Sequence, residues 1–187
     1  MSISHNSNKT MPGSISYHKR SVGGIIQSAI EAENSSHEIY LQLSKMFTHV
    51  PDVSKFWQNL VYNETKHAYT LLKVQTSLSD EQLATAADQQ LMDSVTSVTS
   101  LLNKVSLGTV ETLDDAYEIA HEIEYSEVNH IFKCLAGNFI TREDEKRIVL
   151  NEIHEHQQKL TYFTENFDDR TWRRQVLTRS TTPLSSN

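Results

Sequence analysis

Nine histidines and 24 acidic residues in a chain of 187 become informative where they interrupt an apolar helical stripe. Glu64-Thr65-Lys66-His67 is the clearest such place. A Glu and a His three residues apart share one side of a helix. Together they offer a carboxylate and an imidazole to one metal ion, with the second carboxylate oxygen free to bridge to another. Glu-x-x-His alone is a weak signal, because chance produces it in many helices. Here Leu60 and Leu71 lie on the same stripe and place the pair on a buried face. The anomaly recurs at Glu33, at Glu124 with Glu127, and at His156, each at an otherwise apolar position. A buried carboxylate costs several kcal/mol unless it is paired or metal-bound. Several converging on one axis call for cations, and this mixture of oxygen and imidazole donors suits iron, manganese or zinc.

The elements that must position these residues are helical. Five glycines and three prolines are too few for the turns of a sandwich or barrel. A first pattern runs from about Ser21 to Thr48, with Ile26, Ala29, Ile30, Glu33, Ser36, Tyr40, Leu43 and Phe47 at helical spacing. Pro51 breaks it. A second runs from about Val53 to Ser77 through Phe56, Leu60, Glu64, His67, Leu71 and Val74. An amphipathic stretch rich in Ser and Thr follows from Asp80 to Leu102 and ends before Gly108. The next pattern spans Thr112 to Gly137, with Thr112 and Asp115 forming an approximate capping box and Gly137 as C-cap. The last runs from about Thr141 to Phe167, with Glu143, Asp144 and Glu145 suited to the N-terminal dipole. Two hairpins joined by a long crossover predict an all-α, antiparallel four-helix bundle with an extra helix in the crossover. Residues 1–20 read as a flexible arm, 21–167 as the bundle and 168–187 as a tail.

The hairpins also resemble each other. Ala29-Ile-Glu31-Ala-Glu33 in the first pattern matches Ala120-His-Glu122-Ile-Glu124 in the fourth. His67 is framed by Leu60, Leu71 and Val74 as His156 is by Val149, Leu160 and Phe163. Matched ligand positions imply a pseudo-twofold site for two metals.

With these residues the chain resembles the rubrerythrin group of ferritin-like proteins over about residues 21–167. In that group the four helices carry a carboxylate, Glu-x-x-His, Glu (often Glu-x-x-Glu) and Glu-x-x-His in turn. Glu33 with Tyr40 matches the first element, Glu64 and His67 the second, and Glu124 with Glu127 the third. The resemblance implies a ferritin-like fold, an iron centre of one or two ions, and peroxide or oxygen chemistry or iron oxidation. It also implies pairing into a homodimer.

Two departures stand out. The last helix does not read Glu-x-x-His: Ile153 stands three residues before His156, and Asn151 three before His154. Glu152 could serve from a shifted position, or Glu152 and Glu155 could pair, or the second metal is weak or absent. The sequence therefore supports one metal more firmly than two. Rubrerythrin also carries a four-cysteine iron domain, whereas this sequence has Cys134 alone, so redox turnover needs an external electron donor.

The remaining candidates have plainer readings. His37, His121, Glu31, Glu118 and Glu122 are expected on the surface, Trp57 and Cys134 in packing. Tyr40 either bonds a ligand carboxylate or spans core and rim. A net charge of −7 argues against nucleic-acid binding. The absence of a long apolar run argues against a membrane span, and the absence of a secretory h-region places the expected compartment in the cytoplasm. Three functions compete: a peroxidase or ferroxidase, a metal binder without turnover, and a bundle whose site has decayed.

Overall fold

The computed structural model describes residues 18–166, without the side chains of Glu127, His156, Gln157 and residues 163–166. Its elements are α1 (Val22–Met46), α2 (Pro51–Ser77), α3 (Asp80–Ala84), α4 (Gln89–Lys104), a 3₁₀ turn (Leu107–Thr109), α5 (Leu113–Glu124), α6 (Glu127–Phe139) and α7 (Glu143–Asn166). The helices α1, α2, the α5–α6 pair and α7 form the four-helix bundle. The tail expected from residue 168 lies outside the described residues.

Local chemistry sets the helix ends. Ser21 caps α1, its Oγ accepting the Gly24 amide at 3.2 Å. Gly24 is required there, since a Cβ would sit 2.3 Å from the His18 carbonyl oxygen. Pro51 opens α2 at a position where a missing N–H costs no hydrogen bond. Ser79 and Gln82 form a capping box on α3, and Thr112 and Asp115 form the expected one on α5.

The crossover differs from a single amphipathic stretch. It breaks between α3 and α4, where residues 85–87 run extended beside the start of α1. The Val22 amide donates to the Thr85 carbonyl, and the Ala87 amide to the Arg20 carbonyl, both at 2.9 Å. The crossover is thereby stitched to residues 20–22, and α4 packs on α1 and α6.

The pattern from Thr112 to Gly137 also differs: it is two helices. After Glu124 the backbone leaves helical geometry, and Ser126 restarts the helix as N-cap with its Oγ accepting from Val128. Gly137 is not the C-cap; α6 continues to Phe139 and Ile140 takes that place.

The core explains where the polar residues sit. One apolar cluster contains Ile26, Ala29, Ala32, Leu71, Val128, Phe132, Leu135 and Ile153. A second contains Tyr40, Leu43, Phe47, Trp57, Leu60, Ala120, Ile123 and Leu160. Each main helix passes from one cluster to the other. The switch falls at Glu33 in α1, at Glu64 and His67 in α2, and at Glu124 between α5 and α6. In α7 it falls between Ile153 and Leu160. A polar layer thus crosses the bundle between two apolar plugs, each burying several side chains worth about 1.5–3 kcal/mol apiece.

Candidate metal centre

Glu33, Glu64, His67 and Glu124 are only 1–4 % exposed. His67 Nδ1 lies 3.4 Å from Glu33 Oε2 and 3.8 Å from Glu64 Oε2. One ligating atom from each of Glu33, Glu64 and His67 falls within a 4.8 Å group, a spread that one ion can draw together. The His67 ring packs against Phe132 of α6, with centroids 4.6 Å apart, a contact that restrains the imidazole's orientation. Glu124 joins the layer from the end of α5. The Tyr40 hydroxyl donates to its Oε1 at 2.6 Å, and Asn129 Nδ2 approaches its Oε2 at 3.2 Å.

The electrostatics follow from this crowding. Burial, with the Glu33 charge adding to it, pushes Glu64 up to about 7. Burial and the Glu64 charge push Glu124 up to about 8, against the hydrogen bonds from Tyr40 and Asn129. Burial works to lower His67, yet its contacts with Glu33 and Glu64 win and raise it well above the ordinary histidine value. Burial and Glu124 likewise raise the Tyr40 phenol. Without a cation, the layer keeps protons where surface carboxylates would have lost them.

The donor set fits a metal. Glu33 Oε2 and Ser36 Oγ, one turn apart on α1, are buried and make no hydrogen bond among the described residues. Carboxylates and an imidazole beside such oxygens form a site for a hard or borderline cation. A polar cavity of about 350 Å³ between α2 and α7, lined by Asn59, Asn63, Lys66, His67, Glu152 and Lys159 among others, reaches His67 from the bundle surface.

The predicted residues divide accordingly. Glu33, Glu64, His67 and Glu124 come together. Glu152 does not: Ile153 takes the core-facing position of α7 at 0 % exposure. That turns Glu152 to the flank, where its Oε1 accepts from Lys66 Nζ at 2.6 Å. Glu155 is exposed, so the Glu152–Glu155 pairing does not form a buried site. The side chains of Glu127 and His156 lie outside the described residues, although the break after Glu124 removes the unbroken helical spacing assumed for Glu124 and Glu127. His121, His154, Glu31, Glu118 and Glu122 are exposed, His37 half-buried, and Trp57 fully buried.

Sequence reasoning missed Asn129 and Ser126. Asn129 stands five residues after Glu124, a spacing that brings no two side chains together on one helix. Ser126 carried a faint signal as an N-cap residue before Glu127, inside a pattern that otherwise reads as continuous helix.

Four-helix bundles build metal sites from carboxylates and histidines that project inward from facing helices, and the buried layer here is a candidate for one. The rubrerythrin family model matches residues 24–160, and the chain belongs to that family. Comparison with curated proteins and with solved structures gives no match. No described helix is long and apolar enough to cross a membrane.

Proposed function

We propose that this chain binds iron in the layer formed by Glu33, Glu64, His67 and Glu124 and uses it to remove peroxide or oxygen or to oxidise ferrous iron. Manganese or zinc suits the same donors. The observation that carries the reading is the convergence of three carboxylates and an imidazole, each at most 4 % exposed, between two apolar clusters. Such a layer is costly as bare charge and becomes favourable around a cation.

Bound iron supplies Lewis acidity and electrons to a small oxygen-containing substrate. The protein's part is distinct. Glu33 Oε2, a Glu64 oxygen and His67 Nδ1 grip one ion. Burial raises the Glu64 and Glu124 carboxyls to about 7 and about 8, so cation binding there displaces protons and tightens as pH rises. Tyr40 keeps a hydrogen bond on Glu124 and holds its orientation. The apolar clusters exclude bulk water, and the cavity beside His67 admits small polar molecules. Electrons come from a donor outside the bundle. The reading extends to a cytoplasmic homodimer.

Ile153 favours a second reading: a metal binder without turnover. It puts an apolar side chain where the pseudo-symmetry asks for the second hairpin's counterpart of Glu64. Elemental analysis of anaerobically purified protein, with optical spectra before and after peroxide, separates the two. Bound iron with a new near-ultraviolet band on peroxide addition supports the enzyme. One spectrally silent metal supports the binder, and no uptake after iron reconstitution removes both.

A further inference from the structure

We infer that Asn129 is a positioning residue for the centre: it bridges the break between α5 and α6 and fixes the Glu124 carboxylate. In an unbroken helix the Glu124 carbonyl would accept the Val128 amide four residues on. Here Ser126 is extended, with ψ −177°, and the Val128 amide turns to Ser126 Oγ at 3.2 Å. The Glu124 carbonyl would be left without that bond inside the protein. Asn129 Nδ2 donates to it at 2.7 Å and also approaches Glu124 Oε2 at 3.2 Å. Asn129 is itself only 5 % exposed.

A side-chain amide nitrogen carries two hydrogens, so one group can serve a carbonyl and a carboxylate together. Aspartate has no such donor and leucine none at all. The other carboxylate oxygen is held by Tyr40 from α1 at 2.6 Å. Donors from two helices thus fix the plane of the carboxylate. The break is what allows this, since it carries residue 129 to the side chain of residue 124.

This inference rests on the metal reading above, and the test keeps the two apart. Cobalt(II) alone is titrated into the metal-free full-length protein, and visible absorption and affinity are recorded with thermal melts in chelator. Asn129→Leu, of similar volume and without donors, is expected to weaken cobalt binding about 10–100-fold, the range for residues that orient a ligand, and to shift the visible bands. In a Glu124→Gln background the same change should alter affinity less than about twofold, because its route through the carboxylate is gone. A folded Asn129→Leu variant with wild-type affinity and spectrum overturns the inference and leaves Asn129 as a helix cap. A loss that persists undiminished in the Glu124→Gln background overturns it as well. If Asn129→Leu does not fold, Asn129→Ser replaces it. Its single hydroxyl hydrogen cannot serve both acceptors, so the bands should shift, and unchanged bands overturn the inference. Wild-type protein that takes up no cobalt overturns the metal reading itself and this inference with it.

Discussion

Through α1 and α2 the chain runs unbroken past Glu33, Glu64 and His67, and these charged groups face one another. In the second half the helix breaks directly after Glu124, and α7 sets Ile153 among the apolar residues of the core. The two halves therefore handle buried polarity by different means. The first concentrates it, setting Glu33 Oε2 3.4 Å from His67 Nδ1 without a well-aligned hydrogen bond, an arrangement that a cation between them would suit. The second dilutes it among the described residues, giving its buried carboxylate, Glu124, donors from Tyr40 and Asn129. Among the described residues, an internal repeat visible as matched spacing thus carries unequal polarity, with the candidate metal group in the first half.

The sharpest way to break this comparison is Glu64→Leu. It should lower metal affinity by more than the roughly 10–100-fold typical of outer-shell changes, because a ligand is lost outright. In chelator the same variant should melt higher than wild type, since apolar packing replaces a buried carboxylate. Added metal should reverse that order, because it stabilises only the wild-type fold. Metal titration and melts in both buffers check this, and a Glu64→Leu variant that still binds tightly would move the grip elsewhere.

Ile153→Glu tests the other half. It restores a carboxylate to the position the pseudo-symmetry assigns. In chelator it should cost at least about 3 kcal/mol, the lower end for an uncompensated buried charge. With iron or cobalt present it should raise uptake by one ion per chain. Denaturant melts and elemental analysis give the two numbers. A destabilised variant with unchanged uptake would show that Ile153 is only core.

The fold was legible because each main helix keeps one stripe, and apolar residues on that stripe identify the buried face whatever the helix packs against. Glu33, Glu64, His67 and Glu124 were legible for the same reason: charge on such a stripe needs an explanation. The break at Tyr125–Ser126 was not, because no glycine or proline marks it. Its cause is a competition won locally, in which Ser126 offers its side chain to Val128 in place of a backbone carbonyl. The side to which Glu152 turns was not legible either. Lying next to Ile153 it could face in or out, and a 0 % exposed isoleucine settles it outward.

The pH dependence of the metal-free protein sharpens the contrast at the level of protons. Glu64 and Glu124 titrate higher in the folded chain, at about 7 and about 8, than unfolded carboxyls do. The native state therefore holds more protons than the unfolded state from about pH 4.5 upward, and stability falls as pH rises through that range. His67, also raised, acts in the same direction: its contribution is complete below the unfolded histidine value and is lost as pH rises through the folded one. For Glu64 alone the loss is on the order of 3 kcal/mol, and its coupling to Glu124 prevents simple addition. Melts in chelator from pH 5 to pH 8.5 should show a falling midpoint. Saturating metal should flatten the curve, because the cation replaces those protons. A midpoint that rises across this range would contradict the buried carboxylate layer.

The smallest expected effect bears on the boundary between the halves, where Lys66 of α2 meets Glu152 of α7. Their side chains are 40 % and 35 % exposed, so water and salt screen the pair. Such contacts contribute about 0–1 kcal/mol. Glu152→Gln should therefore change the melting temperature little, with a difference that shrinks in high salt. Its more telling readout is metal content, which should match wild type in both stoichiometry and affinity, because Glu152 is committed to Lys66 outside the buried layer. If Glu152→Gln instead loses an ion, α7 must rotate when metal binds. The second half would then contribute a ligand by movement, and the asymmetry between the hairpins would belong to the metal-free state alone.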